Sequence, residues 1–135
     1  MSDTVEFELV SPERLLKSEP VDMVVVPGAE GDFGVLPGHS PMISAVRPGV
    51  IDIHQGSQVS ERIFVAGGFA EVSPERCTVL AEEAVAVADI DRDTAEKRLE
   101  DAKAAFAEAE DGAAPAAEKE IKTAEAMLAA ASSAS

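Results

Sequence analysis

Hydrophobic and polar positions alternate in short runs through the first two-thirds of the chain, then change to a helical spacing. Val5, Phe7 and Leu9 alternate with Glu6 and Glu8, which predicts a strand with one buried and one wet face. Val21 to Val26 is a nearly continuous apolar run, the pattern of a strand covered on both faces. Further strands are predicted at Phe33 to Leu36, Met42 to Val46, Val50 to His54, Arg62 to Ala66, Phe69 to Val72, Cys77 to Ala81 and Val85 to Ala88. Turn signals separate them at Gly56-Ser57, Gly67-Gly68 and Ser73-Pro74. About ten short strands, with turns roughly every 8–12 residues and no helical periodicity between them, predict an antiparallel β-sandwich domain over residues 1–88.

The stretch from Val26 to Pro41 stands out within this run. Pro27-Gly28 and Pro37-Gly38 bracket an acidic tip, Glu30-Gly31-Asp32, and a third pair follows at Pro48-Gly49. Proline presets φ for the second residue of a turn, and glycine supplies the positive φ that a type II turn needs next. The expectation is two reversals around a very short strand, holding polar loop tips at fixed places on a stiff body.

At Asp89 the composition shifts. β-Branched residues nearly vanish and alanine, the best intrinsic helix former, dominates. Asp89-Ile90-Asp91-Arg92-Asp93 offers an N-cap and an acidic first turn. Ala95, Leu99, Ala102, Phe106 and Ala109 form one apolar seam, and Ala117, Ile121, Ala124, Leu128 and Ala131 a second. Asp111-Gly112 and Pro115 break the pattern between them, so residues 89–135 are predicted to form an antiparallel α-helical hairpin. Alanine seams bury little area, which predicts a detachable arm on a rigid β body. The stretch from Ala129 to Ser135 lacks large side chains and is expected to fray.

Composition narrows the function classes. A formal net charge of −15 argues against nucleic acid and against adsorption to an anionic lipid surface, both of which need lysine and arginine. No apolar run approaches the roughly 18 residues of a membrane span, and no basic segment leads into an apolar one at the N-terminus. The single cysteine, Cys77, has no internal disulfide partner, in keeping with a reducing compartment. The expectation is a soluble, cytoplasmic protein that another protein must hold if it works near a membrane.

No catalytic constellation emerges. His39-Ser40 near Asp32 lacks the Gly-x-Ser-x-Gly elbow that exposes a nucleophile. His39 and His54 lack the spacing of a metal site, and Cys77 falls where alternation buries it. Neither a dinucleotide nor a phosphate-cradling glycine motif is present. The acidic tip has two readings from its residues alone: a solvated loop, or a charged contact for a basic partner loop.

Three spaced motifs carry a resemblance. Glu30-Gly31-Asp32-Phe33-Gly34-Val35-Leu36-Pro37-Gly38-His39-Ser40-Pro41, then Arg47-Pro48-Gly49, then Val65-Ala66-Gly67-Gly68-Phe69-Ala70-Glu71-Val72 are similar, in that order, to the epsilon subunits of F-type ATP synthases. The resemblance implies a non-catalytic rotor subunit of the central stalk, joining the gamma subunit to the c ring at the cytoplasmic face of the cell membrane. It implies that Glu30, Gly31 and Asp32 meet the polar loops of the c ring and that His39 and Ser44 contact gamma. It further implies an ATP motif at the start of the first helix. Ile90, Asp91 and Ala95 match that motif, but Thr94 stands where the family has arginine and offers no charge for a phosphate. Arg98 is the remaining basic candidate beside Ile90 and Asp91, so only weak ATP binding is expected. Family members whose extended arm inhibits hydrolysis usually present basic residues to an acidic region of the beta subunit, so the resemblance implies alpha or beta as a contact of the arm. Here Lys119 and Lys122 are accompanied by Glu118, Glu120 and Glu125, so inhibition is expected to be weak. The competing class is a free-standing regulatory adaptor with a mobile helical arm.

Overall fold

A computed structural model describes residues 3–133. Ten strands come first: β1 (Val5–Val10), β2 (Leu15–Val21), β3 (Met23–Gly28), β4 (Gly31–Val35), β5 (Met42–Val46), β6 (Gly49–Gln55), β7 (Gln58–Val65), β8 (Gly68–Val72), β9 (Arg76–Ala81) and β10 (Ala84–Ala86). A 3₁₀ turn (Val87–Asp89) leads into α1 (Arg92–Glu108) and α2 (Ala114–Ser133). The strands form one hydrogen-bonded path, β10-β7-β6-β3-β5-β8-β9-β1-β2, with β4 paired to β3 beside it. Neighbours are antiparallel except β1 and β9, which run parallel with Phe7 opposite Cys77.

The path folds into two leaves at β3. Met23 to Val25 pair with β6, whereas Gly28 at the other end of β3 lies opposite Val46 of β5. Between the leaves lies an aliphatic core that includes Val5, Phe7, Leu9, Val24, Val26, Ile51, Ile53 and Val79, each at most 1% exposed. Lys17 of β2 reaches Glu61 of β7 at 2.7 Å, and Gln55 donates to the carbonyl of Pro20 at 3.2 Å. These contacts tie the far edge of one leaf to the other.

The sandwich is the one the alternation predicts, with three local differences. The strand Leu15–Val21 was not anticipated, because Lys17, Glu19 and Pro20 interrupt its apolar pattern. It is a terminal strand of the path, where a proline need not donate to a ladder. The run Val21 to Val26 is not one doubly covered strand: Asp22 divides it between β2 and β3, and Met23 and Val25 are only half-buried. Double covering belongs to β7 and the residue after it. Ile63 and Val65 join the sandwich core, while Phe64 and Ala66 enter a second cluster with Val87, Ala95, Met127 and Ala130.

That second cluster explains the helices. Asp91 caps α1 by accepting from the Asp93 amide at 3.0 Å. Ala95 and Ala102 of the first seam are buried, but Phe106 is 43% exposed and Ala109 lies past the helix end. On α2 the seam residue Ala124 is buried, and so are Thr123, Met127 and Ala130, which the seam did not include. α2 packs on α1 and also on the outside of β6 and the 3₁₀ turn, so it buries a wider stripe than a two-helix hairpin needs. For the same reason α2 does not end near Ala129; it continues through Ser133, with residues 134 and 135 outside the described part.

Candidate docking surfaces

Three segments distant in sequence meet at one corner of the sandwich. Gly28 lies opposite Gly31 across the β3–β4 hairpin and opposite Val46 of β5, and Val46 in turn faces Gly68 of β8. Arg47 follows. Its Nη1 donates to the carbonyl of Gly28 and its Nη2 to Asp32 Oδ1, each at 2.6 Å, while its backbone N–H donates to the carbonyl of Pro27 at 2.9 Å. A Cβ on Gly28 would come within 2.6 Å of the Gly31 oxygen. Here glycine serves close approach and not a turn, since Gly28 ends β3 and Gly49 begins β6, both without positive φ. Only the Pro37-Gly38 pair makes the expected reversal, with Gly38 at φ 85° and the His39 N–H donating to the Leu36 carbonyl at 3.1 Å.

The acidic tip is thus held from below. Ala29 and Glu30 form the hairpin turn, while Gly31 and Asp32 belong to β4; all are exposed. Asp32 faces solvent but has Arg47 as its counter-ion. Glu30 has no ion pair among the described residues, so it is the uncompensated charge of the tip.

His39 and Ser44 are both half-buried and engaged locally. His39 Nδ1 lies 2.7 Å from the carbonyl of Ser40, and the turn it occupies is anchored by the Gly38 N–H donating to the Pro74 carbonyl at 2.8 Å. Ser44 Oγ donates to the Ala45 carbonyl at 3.0 Å. Ser44 shares the core-side face of β5 with Val46, opposite buried Ala70, so it does not share a face with Ile43. Asp32, His39 and Ser40 make no catalytic relay, because Asp32 is paired to Arg47 instead.

The outer face of the second leaf carries a surface the sequence reading missed. Ala45, Phe69, Leu80, Val10 and Leu15 stand directly opposite one another across β5, β8, β9, β1 and β2. Phe69 is 60% exposed, Leu80 and Leu15 55% each, and Ile43 next to them 73%. The adjacent row is polar: Thr78 Oγ1 donates to Glu8 at 3.1 Å and Ser18 Oγ to Glu6 at 3.1 Å. A continuous apolar row with a polar margin has the composition of a docking surface. The signal in the sequence is alternation, which sets Phe69 and Leu80 opposite in sense to Ala70 and Val79. Only the order of strands showed that these outward residues line up.

The helical-arm candidates have separate surroundings. Ile90 packs into the second apolar cluster. Both oxygens of Asp91 are used within α1, one by the Asp93 N–H and the other by the Thr94 hydroxyl at 3.0 Å. Arg98 faces Glu83 and Glu120. The structure does not gather Ile90, Asp91 and Arg98 around one cavity; the grooves beside Arg98 include Thr94 and Lys119 but neither Ile90 nor Asp91.

Comparison with known proteins agrees with this architecture. Residues 4–87 match the family described as ATP synthase, Delta/Epsilon chain, beta-sandwich domain. The ATP synthase epsilon chain of Rhodospirillum rubrum is 56% identical over 131 residues, covering 96% of this chain and 98% of that protein. The corresponding chain of Granulibacter bethesdensis is 54% identical over 128 residues, covering 93% and 95%. Among solved structures, a chain of the Euglena gracilis mitochondrial ATP synthase, OSCP/F1/c-ring in rotational state 1, superposes with TM-score 0.83 at 25% identity, covering 96% of this chain and 82% of that one. A chain from the Tetrahymena thermophila mitochondrial ATP synthase central stalk and c ring shares the fold, with TM-score 0.63 at 15% identity over 94% of this chain and 96% of that one. With a family model spanning the whole sandwich and relatives matching nearly end to end, the chain belongs to the delta/epsilon chain family of ATP synthase.

Proposed function

We propose that this chain is a non-catalytic subunit of the central stalk, joining gamma to the c ring at the cytoplasmic face of the membrane. The observation that carries this reading is the pairing of two unlike surfaces on one stiff body. The apolar row through Phe69 and Leu80 suits a permanent protein partner, gamma, and the acidic tip at Glu30 and Asp32 suits the polar loops of the ring. His39, at its turn, is the gamma contact this reading retains, whereas Ser44 lies on the core-side face of β5, away from the apolar row. The relatives named as epsilon chains and the solved neighbours containing a central stalk and c ring support the assignment.

The domain reading is a sandwich over residues 1–88 and a hairpin over 89–135 that serves as a separable arm. Nucleotide binding by the arm is weak, because Thr94 brings no charge and Asp91 is occupied within its own helix. Contact with alpha or beta through the arm inhibits hydrolysis little, since the hairpin carries carboxylates along with its few lysines.

Copurification tests the reading. Phe69→Asp combined with Leu80→Asp places two charges in the apolar row without touching the core, and gamma should no longer copurify with the folded variant. Glu30→Lys should keep gamma and weaken attachment to the ring. A double aspartate variant that still holds gamma at wild-type yield would refute the docking face, and a wild-type chain that never copurifies with gamma would favour a free-standing adaptor.

A further inference from the structure

We propose that Arg98 is an internal latch that closes the helical hairpin onto the sandwich without any bound ligand. Arg98 lies on the inner side of α1. Its Nη1 and Nη2 donate to the two carboxylate oxygens of Glu83 at 2.8 and 3.0 Å, a bidentate fork. Its Nε donates to Glu120 Oε1 at 2.5 Å, and Nη2 also reaches Glu120 Oε2 at 3.4 Å. Glu83 belongs to the β9–β10 turn and Glu120 to α2, so one guanidinium joins the sandwich and both helices.

Three features make this more than a surface ion pair. The Arg98 side chain is only 26% exposed, which limits screening and competition by water. The planar fork matches a carboxylate in a way that a lysine cannot. The rest of the arm's contact with the sandwich combines small side chains, Ala95, Ala126 and Ala130, with Ile90, Met127 and Leu128 and contains no aromatic group from the arm. A second tie, Lys119 to Glu82 at 3.0 Å, joins the same turn to α2 but lies more in solvent. Opening the arm would separate Arg98 from Glu83, leaving a half-buried carboxylate on the body without its cation. The two glutamates thus fill the anionic position at Arg98 with the chain's own groups. The latch concerns the arm alone and stands whichever partners the sandwich binds.

Amide hydrogen exchange on the full chain tests it. In Arg98→Gln the amides of α1 and α2 should exchange at least tenfold faster, while those of β3, β6 and β9 stay within twofold of wild type. Glu120→Gln, a milder change that leaves the Glu83 fork in place, should accelerate α2 more than α1. Adding MgATP to the wild-type chain should leave exchange in both helices unchanged. The proposal is overturned if α1 and α2 in Arg98→Gln remain within twofold of wild type, if β3 and β6 accelerate equally, or if MgATP slows the wild-type helices severalfold.

Discussion

Gly68 sits at φ 143°, and a Cβ built on it would lie 1.8 Å from the carbonyl oxygen of Leu80. Its neighbour across the β8–β9 ladder therefore leaves room for no side chain. Gly68→Ala is expected to lower stability by roughly 2–4 kcal/mol, from backbone strain plus displacement of β9, and urea denaturation would show it as a lower midpoint. Cys77 illustrates a different residue-scale effect. Burial pushes its thiol up to about 12 from an ordinary 9.0. Between about pH 9 and about 12 the unfolded chain loses this proton while the folded chain keeps it, so stability falls as pH rises through that window. Within that window this group contributes a slope of about 1.4 kcal/mol per pH unit, below about pH 9 it contributes none, and a Cys77→Ala variant lacks it throughout. Denaturation at pH 8 and pH 10.5 on both proteins measures the difference.

Among the elements, β7 and α2 each serve two neighbours. Ile63 and Val65 of β7 face one core and Phe64 the other, so β7 is the wall shared by sandwich and arm. α2 lies against both α1 and β6, which is why its buried stripe extends to Thr123, Met127 and Ala130. The arm has a structural task as the cover of Phe64, distinct from any regulatory one. Its carboxylates outnumber its basic groups, so it is poorly suited to an acidic partner. Removing residues 89–135 from the assembled complex should leave the ATP hydrolysis rate within about twofold, because an acidic arm is repelled by an acidic partner surface. A several-fold rise on deletion would show an inhibitory arm.

At the scale of the molecule, the two proposed docking regions share one frame. The acidic tip is bolted to β5 through Arg47, and β5 itself supplies Ile43 and Ala45 to the apolar face. The leaves are further joined across their open side by Lys17 and Glu61; hydrogen bonding to Glu61 raises the lysine above its usual range, so this tie persists throughout neutral pH. A body whose two contact regions are tied together by a shared strand and these side-chain contacts is suited to passing torque between partners. The net charge of −15 adds a constraint of its own, favouring basic or polar partners over acidic ones.

The alternation of Val5, Phe7 and Leu9 with glutamates, the Pro37-Gly38 turn and the Asp91 cap were all legible from the residues, because each depends on neighbours a few positions apart. The three spaced motifs were also visible as a pattern, though not the reason for it. Tertiary structure alone decided that Gly28, Arg47 and Gly68 meet at one corner, that β1 runs parallel to β9, and that five outward residues align into an apolar row. It alone gave Arg98 its two glutamates, which lie 15 and 22 residues away. A period of two shows which way a side chain points, but which strand or helix it then faces is set by how the chain closes its core.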